Sequence, residues 1–149
     1  MDKVVPLWQA AYYPRREISV DETLIAFKGR SRFKQYKPKK PHKWGVNAWT
    51  LAESKTGYVY NWEIYEGKQQ QPTEVGLTQR VVTNLVSSVY GRGHHVYMDN
   101  YFSSPNLFDE LQQNQVGACG TLRLNRVGIP DVANAKPKAG EPPVVTRDS

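Results

Sequence analysis

Six apolar residues, Leu77, Val81, Val82, Leu85, Val86 and Val89, recur with the spacing of one helix face. Gly91 and Gly93 stop that run, and a short strand-like stretch from His94 to Asp99 follows at once. A helix placed between strands lets the later strand return parallel to an earlier one, and such crossovers are right-handed. The helical stripe reads as core. The chain is thereby restricted to folds in which helices pack on a sheet that contains a parallel step.

The remaining runs supply that sheet. Residues 17–27, rich in Ile, Val, Leu and Phe, read as a strand bounded by Pro14 and Gly29. Residues 44–52 and 58–65 read as two more, joined through the turn signal Ser54-Lys55-Thr56-Gly57. These three form an antiparallel meander. After the crossover, Ser104 can cap a second helix. Pro105 suits its first turn, and Leu107, Phe108 and Leu111 give it an apolar stripe. Residues 117–124 read as a last strand. The order βββ-α-β-α-β is that of an α/β (α+β) ribonuclease-H-like mixed sheet, expected to be incomplete at its C-terminal side. The 149 residues suffice for one domain. The core is expected over residues 1–129. Residues 130–149, with Pro130, Pro137, Pro142 and Pro143, read as an irregular tail.

No apolar run approaches the roughly 20 residues that span a bilayer. A single cysteine, Cys119, excludes an internal disulfide and a cysteine-rich zinc module. It reads as a small buried strand residue, and a reduced, intracellular setting is expected. His94 and His95 are adjacent strand residues facing opposite sides, so they read as strand-edge residues and not as a shared metal site. Trp44, Trp49 and Trp62 fall on expected strands and read as core or sheet-face packing.

The net charge of +6 is uneven. Lys28, Arg30, Arg32, Lys34, Lys37, Lys39, Lys40 and Lys43 stand in residues 28–43 without an acid among them, a local +8 against −2 elsewhere. Such a stretch fits DNA phosphates, whose counterions are released on binding. Phe33, Tyr36 and Trp44 are interleaved with the cations and could stack on an unpaired base. A solvated basic hairpin, or a nuclear-import signal over residues 37–43, fits the same pattern. No base-reading helix is evident.

Two acids draw attention. Asp21 lies in the first strand and Asp99 ends the fourth, and a ribonuclease-H-like sheet sets those strands side by side. Carboxylates on rigid strands suit Mg2+, a hard cation with oxygen ligands, and paired ions of this kind serve phosphodiester chemistry. Pattern alone also allows both to be turn or surface residues. Glu22, beside Asp21, points to the other face of a regular strand.

At this point an ordered series of motifs resembles one family. Residues 18–30, Ile-Ser-Val-Asp-Glu-Thr-Leu-Ile-Ala-Phe-Lys-Gly-Arg, resemble the opening of the piggyBac transposase domain. Residues 36–45, Tyr-Lys-Pro-Lys-Lys-Pro-His-Lys-Trp-Gly, are similar to its Tyr/Lys-Pro segment, and residues 98–104, Met-Asp-Asn-Tyr-Phe-Ser-Ser, to its second acidic motif. Thr56-Gly57-Tyr58, residues 64–68 and residues 117–123 extend the series, which covers roughly residues 10–130. The resemblance implies a DDE core that cuts DNA and joins it at TTAA sites with three aspartates and Mg2+ (or Mn2+). It implies DNA, as transposon ends or target, for a partner, with a homodimer allowed, and a nuclear location. Asp21 matches the first catalytic and metal-binding aspartate and Asp99 the second. The third lies downstream of the matched motifs, and neither Asp131 nor Asp148 sits in its motif. The expectation is therefore an enzyme family core with little or no cleavage by this chain alone, or else a non-catalytic DNA-associated or protein-interaction module. Asn47 stands where many relatives carry a lysine.

Overall fold

A computed structural model describes residues 3–67 and 76–129. The expected irregular tail, residues 130–149, lies outside the described residues. A mixed sheet of six strands runs through the molecule: β1 (Glu17–Ala26), β2 (Lys34–Tyr36), β3 (Trp44–Glu53), β4 (Val59–Ile64), β5 (His95–Met98) and β6 (Gly117–Gly120). The helices are α1 (Val4–Ala11), α2 (Leu77–Val86) and α3 (Pro105–Gln113), with a short 3-10 turn, Ser87–Val89, extending α2. The βββ-α-β-α-β order is present, with α1 and β2 as additions.

The long strands β1 and β3 pair antiparallel from Ile18↔Glu53 to Ala26↔Gly45. On its other side β1 pairs β5 in parallel, and β5 pairs β6 in parallel. With β4 on the far edge of β3, the path β4-β3-β1-β5-β6 is the ribonuclease-H-like order. Its parallel steps are reached through α2 and α3, as the helical stripe requires.

Alternation along each strand decides what faces the helices. Ile18 and Val20 of β1, Trp49 and Leu51 of β3 and Val96 and Met98 of β5 are buried in one cluster with Val81, Val82, Leu85 and Val86 of α2 and Leu107 and Leu111 of α3. Removing each such side chain from water contributes about 1.5–3 kcal/mol. Side chains between them, including Asp21 and Thr50, point to the other face. There Trp62, registered with Thr50, meets Trp8 of α1 with ring centroids 5.9 Å apart.

The ends of α3 show how sequence sets its limits. Ser104 Oγ accepts from the Leu107 amide and Pro105 occupies the first turn. At the other end Gln115 has φ +59°. Its amide donates to the Gln112 carbonyl and the next amide, of buried Val116, reaches back to Leu111. That is a left-handed cap, with Gln where Gly is usual.

Two expectations need correction. Cys119 is exposed, not buried: it is registered with Tyr97, so it shares the face away from α2 and α3. Trp44 is 53% exposed, whereas Trp49 is buried and Trp62 half-buried. Trp44 starts β3 where it pairs only the short strand β2 and lies beyond the reach of the helices.

Candidate active site

Parallel pairing of β1 and β5 ends at Val20↔Met98. The next residue on each strand is Asp21 and Asp99. Both are exposed; Asp21 lies by alternation on the face opposite the Val20 side chain, and Asp99 is the first residue past β5. The two acids singled out from sequence therefore follow directly on the paired ends of neighbouring strands.

Each is held locally. The Glu22 amide donates to Asp21 Oδ1 at 2.6 Å, and the Tyr101 amide to Asp99 Oδ1 at 2.8 Å. Among the described residues no hydrogen bond reaches the second oxygen of either. Behind Asp21, Thr50 Oγ1 lies 3.4 Å from the Asp21 carbonyl and 2.9 Å from Thr23 Oγ1. Asp99 opens a tight turn whose carbonyl accepts from Ser103 Oγ at 2.9 Å. Phe102 and Ser103 are fully buried and anchor that turn in the core. Gly120 makes the approach possible, because a Cβ there would overlap Ser103 Oγ and the Met98 carbonyl.

Two arginines fasten the same turn from outside. Arg123 Nε donates to Asn100 Oδ1 at 3.0 Å, and Arg126 Nη2 to the carbonyls of Asn100 and Tyr101 at 3.1 and 2.6 Å. Sequence reasoning missed this role. The only signal was that both cations follow the last strand within a few residues.

Glu22 points to the other face, as alternation requires, and forms an ion pair with Lys37 at 2.7 Å. Burial raises the Glu22 pKa, but the Lys37 hydrogen bond and charge, Asn47 and Lys40 outweigh it, and the net direction is down. Burial first, and then the Glu22 and Tyr65 groups, push Tyr101 up. Asn47 is buried with Oδ1 unpartnered.

The eight basic residues are not equivalent. Lys37 is engaged by Glu22, and Lys40 Nζ reaches the Glu22 carbonyl at 3.5 Å. Lys34 Nζ donates to the carbonyls of Lys28 and Gly29 and lies 5.3 Å from the centre of the Trp44 ring. Arg32 lies over Phe33 at 4.6 Å, with its charge open to solvent. Lys28, Arg30, Lys39 and Lys43 are exposed, and their side-chain nitrogens meet no acceptor among the described residues.

His94 is buried with Nε2 3.3 Å from the Pro14 carbonyl, and His95 faces Arg16 at 3.0 Å; they share no site. Hard carboxylate oxygens at Asp21 and Asp99 fit a magnesium-like ion, which takes one or two carboxylates and keeps waters or phosphate oxygens for its other positions. Among the described residues no cluster of three or more His, Cys, Asp or Glu surrounds a metal position. Asp131 and Asp148 lie outside the described residues.

The sheet order and its crossovers define a ribonuclease-H-like domain. The chain belongs to the Transposase IS4 family of DDE transposases, which it matches over residues 1–147. The human PiggyBac transposable element-derived protein 3 is 29% identical over 131 residues, covering 82% of this chain and 22% of that protein. The human Chimeric ERCC6-PGBD3 protein is likewise 29% identical over 131 residues, with 12% of its length covered. Among solved structures, the piggyBac transposase in its synaptic complex with hairpin DNA superposes with a TM-score of 0.79 and 31% identity, covering 92% of this chain and 29% of that one. The piggyBac resemblance read from the motifs is borne out. The chain spans about a fifth or less of the length of these two curated relatives.

Proposed function

We propose that this chain is the part of a piggyBac-type transposase core that supplies two of the acids for metal-dependent DNA cleavage and joining, with Asp21 and Asp99 as ligands and the basic segment as the DNA track. The observation that supports this reading is the register: the last parallel pair of the neighbouring strands is Val20↔Met98, and Asp21 and Asp99 are the next residue on each. When bound, Mg2+ or Mn2+ would supply Lewis-acid stabilisation of charge at the phosphate oxygens. The chain's own contribution is positional. Buried Phe102 and Ser103, with Arg123 and Arg126, hold the Asp99 turn, and Thr50 backs Asp21. DNA bound in this way implies action in the nucleus.

A second reading is a DNA-associated module without catalysis, in which the exposed cations Lys28, Arg30, Lys39 and Lys43 do the work. Manganese binding to the full-length protein, followed by paramagnetic relaxation of water, separates the two. Asp21→Asn and Asp99→Asn are each expected to abolish binding while leaving duplex affinity within about threefold. Unchanged manganese binding in both variants would refute the metal-site reading. Loss of DNA affinity on Lys28→Gln and Lys43→Gln, in a protein that binds no manganese, would support the second.

A further inference from the structure

Where β1 ends and β3 begins, Ala26, Phe27, Lys28, Lys34, Pro41, His42, Lys43 and Trp44 enclose an open cleft of about 340 Å3. Its aromatic walls are exposed, Phe27 at 39% and Trp44 at 53%, and three lysines line it. Exposed aromatic area next to lysines, without a covering acid, is the composition of a surface on which nucleobases stack.

The walls are set in advance. The Phe27 ring folds back over Gly29, where a Cβ would strike it. Gly45, next to Trp44, lets β3 approach β1 so closely that a Cβ would collide with the Ile25 carbonyl. Tyr36 backs Trp44 with ring centroids 4.8 Å apart. The loop carrying Pro41, His42 and Lys43 is closed by the Lys37 amide on the Lys43 carbonyl at 2.7 Å. Lys34 is tied to two carbonyls, which leaves Lys28 and Lys43 to meet phosphates.

We propose that this cleft takes a single unpaired nucleotide of the bound DNA, its base stacked against Trp44 and its flanking phosphates on Lys28 and Lys43. Ring faces in an intact duplex are covered by their neighbours, so only an unpaired base can present one to Trp44. The proposal rests on the DNA-handling reading above, and it names a feature of the DNA that reading does not.

The test compares two probes at low salt with the full-length protein: a plain 20-base-pair duplex, and the same duplex carrying an unpaired thymine flap. The wild type is expected to prefer the flap. Trp44→Ala should weaken flap binding roughly 5–150-fold, the range for losing one stacked base. Its duplex affinity should stay within about twofold, which also reports that the variant is folded. Trp44→Phe should recover most of the loss. Equal losses on both probes, no loss on either, or a failure of Trp44→Phe to recover flap binding would overturn the proposal while leaving DNA binding intact. Wild-type protein that binds neither probe would remove the DNA-handling reading and this inference with it.

Discussion

The salt dependence of duplex binding reports which cations of residues 28–43 touch phosphate. The slope of log K against log salt is about −0.9 for each phosphate neutralised. Eight contacts from the segment would give about −7.2, a loss of roughly 20,000-fold between 50 and 200 mM salt. The structure engages Lys34, Lys37 and Lys40 internally. That leaves Lys28, Arg30, Arg32, Lys39 and Lys43, a contribution of about −4.5 and a loss of roughly 500-fold. Lys37 is the decisive residue. Releasing it to a phosphate would strand the Glu22 carboxylate beside the DNA backbone, where like charges repel. The double substitution Glu22→Gln/Lys37→Gln preserves net charge and removes only a partly exposed pair, worth about 0.5–1 kcal/mol. It is expected to leave the slope unchanged within about 0.3, whereas Lys43→Gln reduces its magnitude by about 0.9. Fluorescence anisotropy on a labelled duplex at four or five salt concentrations measures both. A drop near 0.9 for the charge-neutral double variant would show that Lys37 leaves Glu22 for DNA and would refute the division of the segment drawn from its hydrogen bonds. An unchanged slope for Lys43→Gln would refute its role as a phosphate contact.

Two stability predictions follow from local geometry. Gln115→Gly relieves a left-handed residue at the end of α3 and should stabilise the fold by about 0.5–1 kcal/mol, after allowing for glycine's looser unfolded chain, measured as a higher urea midpoint; a lower midpoint would contradict the cap. The Thr56 hydroxyl, its amide and the Arg15 charge hold Glu53 below the ordinary 4.5, and Glu22 is also held below it. Both carboxyls therefore favour the folded state fully above about pH 4.5 and lose that contribution as pH falls through their folded values. Thermal midpoints should be level from pH 7 to 5 and drop below, and Glu22→Gln/Glu53→Gln should shrink the drop; an equal drop in the double variant would place the acid sensitivity elsewhere.

The parts of this molecule legible in the sequence are those governed by a period. The α2 stripe, the three long strands and the Ser104-Pro105 start of α3 each repeat or cap in a pattern that local chemistry dictates. What escaped depends on contacts between distant residues. Helix α1 carries no buried residue and is placed by Trp8 on Trp62 and by the Tyr58 hydroxyl on the Trp8 carbonyl. Strand β2 is three residues, Lys34-Gln35-Tyr36, with no apolar run to announce it. Cys119 and Trp44 were misread because alternation tells that a strand has two faces but not how far the helices cover either one.

The register beside the two acids has a separate cause. In the parallel step from β1 to β5, side chains on neighbouring residues share a face, and a slip of one residue would turn Val96 and Met98 out of the core. Both are buried against α2 and α3, so hydrophobic burial, not the acids, fixes the register. That register leaves Asp21 and Asp99 exposed, one residue past the last parallel pair, each with a single amide hydrogen bond to its own local backbone. The fold therefore sustains the arrangement through side chains on the opposite face. Asp21→Asn and Asp99→Asn, which keep a side-chain oxygen for the Glu22 and Tyr101 amides, should cost the fold little while removing the carboxylate charge, which is the behaviour of a site carried by a scaffold and not of a pair that holds it together.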